Sequence, residues 1–212
     1  MIIKTIPLGP IEANTYIVID EESGSTAIID VGDYCKKLLE ILSDEKIRKI
    51  EYILLTHGHF DHIDGVPELK KRFPDAKIAI HEADAPCLYD DSLSLARGFG
   101  KLFSKKAKAD IILHDGDILP FGNTQIKVIH TPGHTAGGVT YVIDDAMFTG
   151  DTLFFTSIGR TDFPGGSYDV LNDSVCRLFD MDGEYTVYPG HDRKTSLDYE
   201  RTHNRFVRWK NR

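Results

Sequence analysis

The stretch "LLTHGHFDHIDG", residues 54–65, sets three histidines and two aspartates directly behind an apolar run. The chain has nine histidines, so a third of them fall in this one turn. The residues leading into it, "IEYILLT" (50–56), are of strand length and nearly continuously apolar, as in a strand covered on both faces. A polar turn at the end of a buried strand accounts for the segment, and so does a metal site. His57 and His59, two apart on a turn leaving a strand, can converge on one ion. Asp61 and His62 fall on another side of the turn and can address a second. Neutral imidazole and carboxylate suit Zn2+ and neighbouring divalent metals. The segment alone leaves both readings open.

Three distant features favour the metal. His134 sits in "TPGHT", Asp151 in "FTGDT" and His191 in "YPGHD", each just past an apolar strand and beside a glycine. "VIHTPGH" (128–134) and "TVYPGH" (186–191) echo one another: Pro ends the ladder, Gly permits a tight turn, and His is left at the strand's end. Four strand ends that each deliver His or Asp are hard to reach by accident.

The rest of the chain alternates short strands with helices. "NTYIVID" (14–20) and "STAIIDVG" (25–32) read as a hairpin around "EESG". "YCKKLLEILSDEKI" (34–47) reads as a helix with Asp33 as its N-cap, and "GVPELKKRF" (65–73) as a second with Pro in its first turn. "AKIAIH" (76–81) is a strand. Further strands follow at "IILHDGD", "TQIKVIHTPG", "GVTYVID" and "AMFTGD". "YDVLNDSVCRLF" (168–179) is an amphipathic helix, and "SLDYERTHNRFVRWK" (196–210) a closing one. No linker or low-complexity segment interrupts the 212 residues, so one domain over 1–212, with two sheet halves and helices outside, is the economical expectation.

A net charge of −8 argues against binding nucleic acid through phosphates. No apolar run is long enough to span a bilayer, and "MIIKTIPLGP" lacks the features of a secretory signal. Three widely spaced cysteines, Cys35, Cys87 and Cys176, form no CxxC pair and fit reduced thiols in a cytoplasm.

With these residues in view, the sequence resembles the metallo-β-lactamase-fold hydrolases. HxHxDH followed by a downstream His, then Asp, then His is their pattern, and the resemblance runs from "IIDVGD" (28–33) to the last "GH" (190–191). It implies an α/β fold, a four-layer αββα sandwich with a two-metal site at its edge. Position by position, His57, His59 and His134 are the implied ligands of one metal. Asp61, His62 and His191 are those of the second, with Asp151 bridging. Two divalent ions are implied, Zn2+ foremost, with Fe or Mn as alternatives.

"SIGRTDFPGGS" (157–167) narrows the resemblance to the glyoxalase II-like branch, hydrolases of glutathione thioesters. The residues after "ERTHNRF" are too few for the C-terminal helical domain of full-length glyoxalase II. The implied reaction is hydrolysis of a thioester or ester by water activated between the two metals, with Asp61 both binding the second metal and orienting the nucleophile. The expected partner is a small anionic thioester. An iron-dependent persulfide dioxygenase shares the "GRTDF" segment and is the alternative, with His57, His134 and Asp151 as its ligand set. A nuclease of this fold and a metal-loaded binding or regulatory module stand further back.

Other residues have plainer readings. His81, His114 and His203 are structural or surface residues, and His130 packs or orients a ligand. Asp30 would be a turn residue in an arbitrary protein, and the resemblance implies that it supports the metal loop; Thr56 caps its strand through the backbone. Arg160 and Asp162 form a clamp, a substrate contact or a simple surface pair. Leu95, Phe99, Leu102 and Phe103, interspersed with Lys101, Lys105, Lys106 and Lys108, form either a solvated face or a lid. The basic tail, Arg205, Arg208, Lys210 and Arg212, is a solvated helix face.

Overall fold

Strict alternation of side chains along the strands separates three hydrophobic layers. The computed structural model describes residues 1–44, 46–100 and 106–209. Strands β1 (Ile2–Leu8), β2 (Ala13–Ile19), β3 (Ser25–Ile29), β4 (Lys49–Leu54), β5 (Lys77–His81) and β6 (Ile111–Leu113) form one sheet in that order. The second sheet runs β14-β13-β10-β9-β8-β7. Its strands are β7 (Ile118–Phe121), β8 (Thr124–His130), β9 (Val139–Ile143), β10 (Ala146–Gly150), β13 (Thr186–Pro189) and β14 (Thr195–Ser196). A two-stranded ribbon, β11 (Leu153–Phe154) and β12 (Ser157–Ile158), lies between them in sequence.

Within β2, Tyr16 and Val18 face the second sheet, whereas Ile17 and Ile19 face outward; Ile53 and Leu54 of β4 divide in the same way. The inner layer meets Phe121, Val128, Tyr141 and Phe148 of the second sheet. The outer face of the first sheet is covered by Leu38 and Leu42 of α1 (Lys36–Leu42) and by Val66 and Leu69 of α3 (Val66–Arg72). The outer face of the second is covered by Val175, Leu178 and Phe179 of α4 (Tyr168–Phe179) and Leu197 of α5 (Leu197–His203). Each buried aliphatic or aromatic side chain contributes about 1.5–3 kcal/mol. The result is the four-layer αββα sandwich expected from the sequence.

Topology places the chemistry at one edge. Strands β3, β4, β5 and β6 pair in parallel, as do β10 and β13, and β8 runs in the same sense as β10 because β9 is antiparallel to both. The carboxyl ends of β3, β4, β8, β10 and β13 therefore deliver Asp30, His57, His134, Asp151 and His191 to a common rim. Ligand sites of α/β sheets lie beyond such ends. A short helix, α2 (Phe60–Ile63), carries Asp61 and His62 into the same rim.

Three local expectations are corrected. Asp33 does not cap α1: its Oδ1 accepts the N–H of Tyr34 (2.8 Å), and the helix starts at Lys36 from an extended Cys35. The closing helix stops at His203 because Asn204 turns extended and buries its amide, which donates to Ser157 O and Glu200 Oε2. The cysteines, most simply small buried hydrophobes by sequence, are half-buried, and no disulfide joins them. Among the described residues no helix is long and apolar enough to cross a membrane.

Candidate metal centre

Seven side chains meet where the strand ends converge. His57, His59, Asp61, His62 and His134 are buried, and Asp151 and His191 are half-buried at the mouth. In His57, His62 and His134 the ring nitrogen turned away from the cluster has a protein partner. Thr56 Oγ1 donates its proton to Asp30 Oδ2 (2.7 Å) and so accepts from His57 Nδ1 (3.1 Å). His62 Nδ1 donates to Asp30 Oδ2 (2.8 Å), and His134 Nδ1 donates to the carbonyl of Arg160 (2.8 Å). These bonds orient the three rings and turn their Nε2 atoms inward, the arrangement by which a metal-ligating histidine is held.

Inside, the ligand atoms crowd together. His59 Nδ1 lies 2.9 Å from His134 Nε2, and His62 Nε2 lies 3.3 Å from His191 Nε2. Nitrogens bound tetrahedrally to one Zn2+ at about 2.0–2.1 Å sit about 3.3 Å apart. His57 Nε2 and Asp151 Oδ1 are buried with no hydrogen-bond partner, which a cation would remedy. The donors fall into groups that could hold an ion: His57, His59 and His134; His57, His62 and Asp151; Asp61, His62 and His191. Asp151 reaches both ends, with Oδ1 3.5 Å from His62 Nε2 and Oδ2 3.4 Å from His134 Nε2. Asp61 Oδ2 lies 3.3 Å from His191 Nε2. All seven residues singled out in the sequence are thus brought together.

Electrostatics divide the two sets. Burial, reinforced by the surrounding imidazoles, drives His57 well below its ordinary pKa, and burial with His134 beside it takes His59 down to about 3. Burial also disfavours the charged form of His62, but Asp151, Asp30 and Asp61 outweigh it and raise the group to about 10. His191 is raised for the same reason: burial lowers it, and its bond to Asp61 and the charge of Asp151 win. Burial pushes the Asp61 carboxyl up, yet His62 and His191 hold it well below the usual carboxylate range. His57 and His59 are thus held as neutral imidazole, whereas His62 and His191 are shifted toward the charged form that a metal would replace.

Glycine makes this density attainable. A Cβ on Gly190 would lie 2.1 Å from Asp151 Oδ1 and 2.9 Å from His62 Cε1. The two Pro-Gly-His turns differ in this respect: Gly133 takes φ +126°, a left-handed conformation, whereas Gly190 is required by space.

A cavity of about 380 Å³ opens over His59, Asp61, His134, Asp151 and His191. Its wall is mostly apolar: Ile11, Phe60, Leu95, Phe99, Phe154 and Phe163. Arg160 lines it too, its guanidinium 3.9 Å over the Phe163 ring and doubly bonded to Asp162 (2.7 and 2.6 Å). Leu95 and Phe99 of the suggested lid belong to the wall, and Lys106 and Lys108 are exposed. Lys101, Leu102, Phe103 and Lys105 lie outside the described residues, as do Lys210 and Arg212.

Two sequence readings change. Thr56 serves the Asp30 carboxylate and His57 rather than capping its strand. His130 orients no ligand; it stacks on His81 at 4.0 Å and donates to Ala136 O. Phe154, Phe163 and Ile11 were not anticipated as walls. "LFF" (153–155) directly after Asp151 was a usable signal for the first, whereas nothing in "GPIEAN" (9–14) marks Ile11. The role of the Arg160 carbonyl has no signal in sequence at all.

Comparison with known proteins follows this geometry. The family model described as Metallo-beta-lactamase superfamily matches residues 8–191. The chain is 31% identical over 216 residues to the hydroxyacylglutathione hydrolase GloC of Haemophilus influenzae, covering 98% of each protein. Among solved structures, BLEG-1 B3 metallo-beta-lactamase matches with a TM-score of 0.90 at 33% identity, over 98% of this chain and 100% of that one. TTHA1623, in a di-iron-bound form, matches with a TM-score of 0.83 at 34% identity, over 96% and 100%.

Proposed function

Because the chain belongs to the metallo-beta-lactamase superfamily, we propose that it is a two-metal hydrolase of thioesters or esters acting on a small, anionic acyl substrate. The observation that carries this reading is Asp151 reaching toward both three-residue sets, 3.5 Å from His62 and 3.4 Å from His134. His57 Nε2, His59 Nδ1 and His134 Nε2 would hold one ion; Asp61, His62 and His191 the other. The likeness to GloC supports an acyl-thioester substrate, and the di-iron TTHA1623 supports two ions while leaving zinc, iron and manganese as candidates. The acidic net charge supports a small molecule over nucleic acid, and three cysteines that form no disulfide support a cytoplasmic setting.

When bound, such ions polarise a carbonyl and bring the pKa of water from that of bulk toward about 7. The protein's own groups do the rest. Asp61, ionised and facing the cavity, accepts a hydrogen bond from the attacking water and holds it against the acyl carbon. The apolar wall takes the acyl group and excludes bulk water from the cluster. A thiolate leaves without a strong general acid, since thiols are already moderately acidic, which agrees with a cavity that, among the described residues, is lined by no lysine or tyrosine.

The test is metal quantification on protein purified without chelator, paired with a panel of thioesters, esters and a β-lactam. About two metals per chain with thioester turnover supports the proposal. One iron with thiol-dependent oxygen uptake and no hydrolysis would replace it with the sulfur dioxygenase suggested by "GRTDF", whose Arg160 and Phe163 line this cavity. Full metal loading with no turnover anywhere in the panel would favour a binding module.

A further inference from the structure

We propose that Asp84 is a positioning residue for the first ligand set, fixing the two loops that carry His57, His59 and His134. The proposal rests on the ligand reading above. Asp84 follows β5, far in sequence from both loops, and is only 3% exposed. Its Oδ2 accepts the N–H of Gly58 (2.8 Å) and the hydroxyl of Thr135 (2.7 Å), and its Oδ1 accepts the N–H of Gly137 (2.8 Å). Gly58 is the residue between His57 and His59; Thr135 follows His134. A single buried carboxylate therefore joins the two loops that bring the first set's nitrogens together.

The joint is specific in chemistry and in space. All three partners are donors, so only a group that accepts at both oxygens satisfies them. A Cβ on Gly137 would lie 2.6 Å from Asp84 Oδ1, so the loop reaches the carboxylate only as glycine. Asp84 is absent from the groups that could hold an ion; it acts through the loops. The second set has no such tie to it: Asp61 and His62 lie on α2, and His191 follows β13. Asp84 thus sets the spacing of the first set alone.

An Asp84→Asn side chain retains the size but turns one oxygen into an NH2 donor. In one orientation that NH2 faces the Gly58 N–H, in the other the Gly137 N–H, so one buried backbone donor is always left without an acceptor. The loops must then shift relative to one another. A spacing error in the first set follows, and loss of such supporting bonds typically weakens metal binding about 10–100-fold.

The experiment is a Co2+ titration of the chelator-stripped, full-length protein, followed by visible absorption and calorimetry, which separates two binding steps. His57→Ala identifies the first-set step as the one it abolishes. Asp84→Asn is expected to weaken that same step by about 10–100-fold and leave the other unchanged. Thr135→Val, which keeps both backbone bonds, is expected to weaken the same step by less. A general loss of stability does not produce such a split. Unchanged first-step affinity in folded Asp84→Asn, or equal weakening of both steps, overturns the proposal. Should Asp84→Asn fail to fold, unchanged first-step affinity in Thr135→Val overturns it. A His57→Ala protein that keeps both steps rejects the ligand reading itself, a distinguishable failure.

Discussion

Asp30 Oδ2 accepts the Nδ1 proton of His62 at 2.8 Å, across 32 positions of sequence. The same carboxylate takes the Thr56 N–H and hydroxyl (2.8 and 2.7 Å), and through Thr56 it orients His57. Asp30 is 1% exposed and adopts φ +56°, a left-handed conformation that a residue other than glycine holds only where its surroundings impose it. Asp30→Asn replaces one acceptor oxygen by a donor and leaves a buried group without its partner. Metal binding at Asp61, His62 and His191 should weaken by about 10–100-fold. Calorimetric titration checks this; an unaltered isotherm would reduce Asp30 to a turn residue.

Gly190 is pinned from both sides, donating to Gly150 O and accepting from Asn14 N–H at 2.8 and 2.7 Å. Since a Cβ there would meet Asp151 Oδ1 at 2.1 Å, Gly190→Ala must displace the carboxylate that reaches both sets. The expected cost is about 1–3 kcal/mol of stability from overpacking, with metal content falling from two ions to one. Urea unfolding and elemental analysis read the two effects separately. A variant that keeps both ions would show that Asp151 does not need its present position.

Much of this site was legible in the sequence because ligands are chemical types, and their types survive in the letters: His57, His59, Asp61, His62, His134, Asp151 and His191 could each be read from a strand end. Asp30 was legible only through the family resemblance, since in the letters alone it is an ordinary turn residue after an apolar strand. Supporting groups are harder. The Arg160 carbonyl that fixes His134 exists at every residue, and Asp84 looks like any acid after a strand until three donors are seen to converge on it. The αββα layering came from the family resemblance; the residues alone pointed to two sheet halves with helices outside, and β4 reads as continuously apolar because both its faces are covered. The end of α5 was misread because Asn204 breaks the helix to bury its amide against Glu200, a tertiary contact that helical periodicity through 196–210 does not reveal.

Phe154 and Phe163 wall the cavity on the side of Asp151 and Arg160. Truncating either to Ala removes contact with the bound acyl group in both ground and transition states. KM for apolar acyl thioesters should rise about three- to tenfold while kcat changes little, the pattern of lost uniform binding. Steady-state kinetics over a series of acyl lengths measures it; a fall in kcat alone would place these rings against the reacting atoms instead.

Proton release distinguishes the two sets. In the metal-free protein His62 is raised to about 10 and carries a proton near neutrality, and His191 is shifted in the same direction. Metal binding requires neutral imidazole, so loading the second set must expel protons, and its affinity rises with pH by about tenfold per unit for each proton displaced. His57 lies well below its ordinary value and His59 at about 3, so neither releases a proton when its ion binds. Calorimetry at about pH 7.5 in buffers of differing ionisation enthalpy counts these protons. Equal release at both steps would contradict the charge division described.

Asp61 gives the sharpest test of mechanism, because it is asked both to bind the second metal and to orient the nucleophile. Its Oδ2 faces His191 Nε2 at 3.3 Å, and His62 and His191 hold it ionised against its burial. Asp61→Asn keeps the volume and one acceptor oxygen but removes the charge that attracts both a cation and a water proton. Occupancy of the second set should be lost, while His57, His59 and His134, which the substitution leaves untouched, retain their ion. The fall in kcat should be about two to four orders of magnitude, the scale of a lost acid–base group. Metal analysis and single-turnover kinetics on the same preparation decide the matter. Near-full hydrolysis with a single ion bound would mean that one metal suffices. The second set would then serve the structure, and a mononuclear reaction on His57, His134 and Asp151 would become the better account of the site.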